Sequence, residues 1–340
     1  MTVNSIKPAR SFFSVSYLFF LLAILLTGSG CATSKNFSTS KYDRYIKATV
    51  EILVDGRLQG SGWFVSKSGE IITAAHVIKS GNKMEAIDAT GYRFTITPIA
   101  ADIGNDIALL KPTSNLFAQY YLIPADKIPP PGTMIHFVGS ALFRHNVALP
   151  GWVARGGLTY EYSPIFEDYT RVYHIAASTP PGSSGGCWID KDGRVVGVQS
   201  GMMTLGNAAQ GIAYASPPDA IKNIIVQKKS ACTTSIQCAI EEIWEQSPDL
   251  IKSYPQNARG VVVAKITKNG VAEKAGLKKN DLILSINGAT TQRRDEFMSV
   301  IRNLNKGDII ALEILSPNSI DKKVVNIQVQ SLEEIYKMDY

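Results

Sequence analysis

From residue 46 to residue 228 the apolar residues come in short runs separated by glycine-bearing turns. Ala48-Thr49-Val50-Glu51-Ile52-Leu53-Val54 and Gly62-Trp63-Phe64-Val65 have the β-branched and aromatic content of strands, and Gly69 to Ile78 carries another apolar strand into a small-residue turn. A helix is predicted over Ile221–Val226. After Lys229 the spacing changes. Gly260–Ile266 and Asp281–Gly288 read as strands, Val271–Ala275 as a short helix stopped by Gly276-Leu277, and Arg294–Leu304 as an amphipathic helix. The pattern predicts a mainly β chain in two parts.

The beginning of the chain differs from both parts. Lys7 and Arg10 precede an apolar run from Phe12 to Leu26, then Thr27-Gly28-Ser29-Gly30-Cys31. A positive start, an apolar core and small residues ahead of a cut site describe a secretory signal. The cysteine makes it resemble a bacterial lipoprotein signal, in which Cys31 would carry the lipid. An uncleaved leader spanning the bilayer is the alternative, because no charge falls between Ser11 and Ser34. Either way the rest of the chain is expected outside the cytoplasm, in the periplasm and held at the membrane. In an oxidising compartment Cys232 and Cys238 are expected to pair as a local disulfide. The net charge of +6 is spread without a basic cluster, so a nucleic-acid partner is not expected.

Candidate chemistry centres on Pro180-Pro181-Gly182-Ser183-Ser184-Gly185-Gly186-Cys187. A serine hydroxyl becomes a nucleophile when a base takes its proton and backbone N–H groups hold the oxyanion it creates. Glycines let successive N–H groups converge, so Ser184 reads as the nucleophile and the amides of Gly182 and Ser184 as the oxyanion hole. The same residues would suit a flexible loop, or the nucleophile elbow of α/β-hydrolases. That elbow needs its histidine after the serine, whereas His76, His136, His145 and His174 all precede Ser184. The order histidine, aspartate, serine remains. His76 follows two alanines that leave its ring approachable, and Asp106 opens the apolar run Ile107-Ala108-Leu109-Leu110. An aspartate beside such a run needs a partner, and the Nδ1 proton of His76 would supply one.

Across these segments the chain resembles trypsin-like proteases of the HtrA type. The resemblance rests on Gly60-Ser61-Gly62-Trp63-Phe64, Ile72-Thr73-Ala74-Ala75-His76-Val77, Asn105-Asp106-Ile107-Ala108-Leu109-Leu110-Lys111, Gly182-Ser183-Ser184-Gly185-Gly186 and Val195-Val196-Gly197-Val198. It implies a chymotrypsin-like pair of six-stranded β-barrels with a His76, Asp106, Ser184 triad in the cleft, no metal and no cofactor. Such proteases usually have Asn or Asp where Ser183 stands and Pro where Cys187 stands. By position Ser178 would form the base of the specificity pocket, with Gln199, Ser200 and Gly201 on its wall, and a small or medium apolar substrate side chain would enter rather than a basic one.

The second part resembles a PDZ domain of the bacterial protease-linked kind, through Ala275-Gly276-Leu277 and Ile286-Asn287-Gly288. That implies an α+β module taking C-terminal peptides, with Arg259, Gly260 and Val261 as carboxylate loop and Phe297 and Ile301 as apolar wall. The expected organisation is a signal over 1–31, a tether over 32–45, the protease domain over 46–228, a linker with the cysteine pair over 229–250 and the PDZ domain over 251–335. Protein or peptide substrates are implied, and a homotrimer is compatible with the resemblance. The competing expectation is a binding or chaperone module with little proteolytic activity on the same fold.

Overall fold

The computed structural model describes residues 42–79, 83–141, 144–206, 208–338 and 340. The leader, Cys31 and the tether up to residue 41 lie outside the described residues. No helix among the described residues is long and apolar enough to cross a membrane.

The first barrel comprises β1 (Thr49–Val54), β2 (Arg57–Phe64), β3 (Ile71–Thr73), β4 (Met84–Asp88), β5 (Arg93–Asp102) and β6 (Ile107–Pro112), closed in the order β1-β2-β3-β6-β5-β4. Closure leaves no free edge, and β1 is buried along its whole length. Pro98, which cannot donate to a ladder, sits where the β5–β6 register slips. The second barrel comprises β7 (Met134–Ala141), β8 (Arg144–Ser163), β9 (Asp168–Ala176), β10 (Cys187–Ile189), β11 (Val195–Leu205) and β12 (Ala208–Ser216), closed as β10-β11-β12-β9-β8-β7. Helix Pro218–Gln227 follows, with Ala220, Ile221 and Ile224 in the cluster that includes Val138 and Val198.

The second domain is a sheet of β14 (Cys238–Glu242), β15 (Val261–Ile266), β16 (Leu282–Ile286), β18 (Ile309–Leu315) and β19 (Lys322–Gln328), paired in that order, with β17 (Ala289–Thr290) on β16. Strand β15 alternates as its pleat requires: Val261 and Val263 enter the main core, while Val262 enters a smaller cluster with Tyr254, Leu282 and Leu315. Helix Arg294–Arg302 buries Phe297, Met298 and Ile301.

Three expectations change here. The last residues of the tether are structured: Tyr45 in helix Asp43–Ile46 is buried against the barrel. Residues 229–250 are not a free linker, because β13 (Thr234–Ser235) pairs with β20 (Gln330–Ser331) and β14 joins the sheet. Cys232 and Cys238 are unpaired. Cys238 opens β14 and is sealed in the second core, where burial pushes its thiol pKa up, while Cys232 is exposed.

The two domains share buried polar contacts. The Glu333 carboxylate, 1% exposed, accepts from the Ile103 N–H (3.0 Å), the Thr233 N–H (2.7 Å) and the Thr233 hydroxyl (2.6 Å). Leu332 and Met338 then enter the first barrel's core.

Candidate active site

Strand β3 ends at Thr73, and helix Ala75–Ile78 turns His76 toward Asp106, just ahead of β6. The Asp106 carboxylate accepts the His76 backbone N–H at 2.9 Å through Oδ1, and its Oδ2 lies 2.8 Å from His76 Nδ1. An ionised carboxylate only accepts, so Nδ1 carries the proton and Nε2 is left as the base. The Ser200 hydroxyl, from β11, adds a third donor at 2.6 Å to Oδ2. Asp106 is 2% exposed and occupies the left-handed region (φ 51°, ψ 51°), which aspartate tolerates better than most residues. Burial by itself lowers the His76 pKa; the charge of Asp106 and its hydrogen bond outweigh that, and the net shift is upward from 6.5.

The Ser184 loop is pressed against the first barrel. Gly185 has φ +83°, and a Cβ there would lie 2.2 Å from the Ser61 carbonyl oxygen and 2.3 Å from Thr73 Oγ1. Gly60 separates the loop from the histidine helix, since a Cβ on it would stand 2.5 Å from the Ser184 carbonyl and 2.8 Å from Val77 Cγ2. Ser61 fastens the loop from below: its N–H donates to the Ser184 carbonyl (2.7 Å) and its hydroxyl to the Gly182 carbonyl (2.9 Å), while accepting from the Ser140 N–H (2.8 Å). Among the described residues the amides of Gly182 and Ser184 have no protein acceptor, and neither does the Ser184 hydroxyl. Unengaged amides are what an oxyanion site requires, and among the described residues the Ser184 hydroxyl makes no hydrogen bond to His76. Ser61→Ala is expected to lower kcat by up to about 10²-fold with KM little changed, because a misplaced loop loses alignment before it loses binding. Steady-state kinetics on an unfolded model substrate checks this.

Residues 60–198 match the trypsin-like peptidase domain family and residues 245–330 the PDZ domain family. The chain is HtrA-like, a trypsin-like peptidase domain followed by a PDZ domain. It is 28% identical to the serine protease HTRA1 of Xenopus laevis over 262 residues, covering 72% of this chain and 54% of that protein. A probable periplasmic serine endoprotease, DegP-like, of Brucella suis is 26% identical over 275 residues, covering 79% of this chain and 52% of the relative. The chain thus spans about half the length of the curated relatives it matches. The structure of the HtrA-type protease AlgW with decapeptide superposes with a TM-score of 0.60 at 18% identity, covering 86% of this chain and 99% of that one.

In this HtrA-like chain several expected site residues are placed differently. Ser178 is exposed; its neighbour Thr179 is buried instead. The Gln199 side chain is engaged internally, donating to Thr179 Oγ1 (3.0 Å) and the Gly201 carbonyl (2.6 Å) and accepting from the Trp188 indole (2.8 Å). Ser200 serves Asp106 rather than a pocket wall, a role that separation along the chain conceals. In the PDZ domain, β15 is flanked by β14 and β16, so no edge is free beside Val261. Gly260 is packed against the Ile283 backbone, and Arg259 is exposed, its guanidinium 3.3 Å from the adjacent Ala258 carbonyl. Phe297 and Ile301, each 1% exposed, lie within the core cluster instead of walling an open groove.

The turn before Asp106 carries its own pH dependence. Burial, reinforced by the charge of Glu333, pushes the Asp102 carboxyl up to about 6, against the pull of its hydrogen bonds from Asn105. The unfolded group titrates at 3.8, so from there to about pH 6 the folded state holds the proton more tightly and stability falls as pH rises. Above that window the penalty is fully present, on the order of 3 kcal/mol. Asp102→Asn should gain stability relative to the parent as pH rises through the window. Urea unfolding of both proteins at either end of it checks this, and a pH-independent difference refutes it.

Proposed function

We propose that this protein is a serine endopeptidase that cleaves extended segments of unfolded polypeptides outside the cytoplasm. The observation that carries the proposal is the buried Asp106 holding His76 in the Nδ1–H form at 2.8 Å, opposite a serine loop with two unengaged amides. Ser184 Oγ would attack the scissile carbonyl while His76 Nε2 takes its proton, and the N–H groups of Gly182 and Ser184 would receive the oxyanion. Collapse expels the amine, protonated by His76; water then repeats the sequence on the acyl-enzyme. The left-handed Asp106 and the Ser200 hydroxyl keep the imidazole aligned through both halves.

The periplasmic description of the Brucella suis relative and the leader-like start together support an extracytoplasmic site, with lipid attachment at Cys31 as anchor. The PDZ domain would hold the chain ends of clipped or misfolded proteins near the cleft. Incubation of the full chain with a serine-directed aryl phosphonate tests the proposal. Labelling on the peptide containing Ser184, lost in His76→Ala, is the expected result. A binding or chaperone module would remain unlabelled while still retaining unfolded protein.

A further inference from the structure

The PDZ sheet ends in β14 on one side and β19 on the other, and the β14 edge is already occupied. The Tyr169 hydroxyl, from the start of β9 in the peptidase domain, accepts from the Ile240 N–H at 2.8 Å and donates to the Ile240 carbonyl at 2.5 Å. One phenol thus satisfies both outward-facing groups of that edge residue, as an added strand would. Its ring is 2% exposed and belongs to the PDZ core cluster with Phe297 and Ile301. Next to it, the carboxylate of Asp168, the first residue of β9, accepts from Arg302 Nη2 (2.7 Å) and from the hydroxyl of Ser235, just ahead of β14. Arg302 also donates to the Tyr169 carbonyl (2.6 Å) and, through Nη1, to the Thr234 carbonyl. At the other end of helix Arg294–Arg302, Asp295 accepts from the Thr159 hydroxyl (3.0 Å) and the Tyr160 N–H (3.1 Å) of β8. The β8–β9 hairpin therefore holds the helix at both ends and fills the space between it and β14.

A carboxylate paired with Arg302 and a hydroxyl, followed by an apolar side chain lying on an edge strand, is the chemistry a polypeptide C-terminus presents to such a groove. We infer that Ser235 and Arg302 form a carboxylate-binding site, and that Asp168–Tyr169 is its internal ligand. An external chain end with an aromatic or large apolar last residue binds there only by displacing the hairpin. Peptide binding and release of a peptidase strand are then one event. The inference rests on the reading of the PDZ domain as a receptor for chain ends; it does not rest on cleavage at Ser184.

The test uses the full chain in detergent with Ser184→Ala, so that the probe stays intact. The probe is a fluorescein-labelled heptapeptide ending in Val-Tyr with a free carboxylate, beside its C-terminal amide. A groove open only a fraction of the time weakens apparent affinity by that fraction, so adding Asp168→Asn and Tyr169→Phe should tighten binding of the acid at least about tenfold and leave the amide weak. Amide hydrogen exchange over residues 238–242 should quicken in the same variant. Tyr169→Phe alone keeps the ring and removes only the hydroxyl, so it should move both readouts the same way if the double change unfolds the barrel. Equal peptide affinity with unchanged exchange overturns the inference while leaving the receptor reading intact. Faster exchange with no binding of the acid by parent or variant overturns the receptor reading, and the competition falls with it.

Discussion

Ser184→Ala is expected to eliminate measurable hydrolysis of an unfolded protein substrate, a loss on the order of 10⁶ in kcat if removal of the nucleophile costs what it does in serine proteases. The physical basis is that the hydroxyl makes no hydrogen bond within the described protein, so its removal deletes chemistry and no folding contact. The Ser184 carbonyl, which accepts from Ser61, and the glycine geometry around it belong to the backbone and are unaffected by the change. The melting temperature should therefore stay within a degree or two of the parent, as for other substitutions that leave no cavity and no orphaned partner. Wild-type turnover, or a large drop in melting temperature, would each contradict this account.

Asp106→Asn should cost about 10⁴ in kcat, the magnitude typical when a triad aspartate becomes an amide. The three partners of this carboxylate, the His76 backbone N–H, its Nδ1–H and the Ser200 hydroxyl, all donate. An amide accepts at one end only, and its NH₂ must face at least one of those donors. Satisfying the NH₂ with Nδ1 moves the imidazole proton to Nε2, where the base is needed. Asparagine also tolerates the left-handed backbone at this position, so the effect should appear in kcat with the fold retained. The pH profile gives a second readout. The parent's rate should rise along a limb centred above 6.5, since His76 must be neutral to act and its pKa is raised, and the limb should move down when the carboxylate is gone.

Residues near in sequence carried much of what can be read without a structure. The first three strands of the first barrel, the helices at Pro218–Gln227 and Arg294–Arg302, and the glycine-bounded loop around Ser184 follow from alternation, periodicity and turn residues, all local properties. The chain order of His76, Asp106 and Ser184 pointed to one of two hydrolase arrangements, and the structure brings His76 and Asp106 of the three within hydrogen-bonding distance. What tertiary structure alone decided involves pairs remote in sequence. Ser200 reaches Asp106 from 94 positions away, and the Ser61 hydroxyl reaches the Gly182 carbonyl across 121. No periodicity reports which strand of a sheet lies at its edge, because a strand's residues look alike whether it has one neighbour or two. For that reason β15 could be taken for the peptide edge, although β14 covers it. The free thiols have the same origin: nearness along the chain put Cys232 and Cys238 together, and the direction of one side chain into a core parted them. Tyr169, 71 residues from Ile240, occupies the β14 edge, and only the folded chain brings the two within hydrogen-bonding distance.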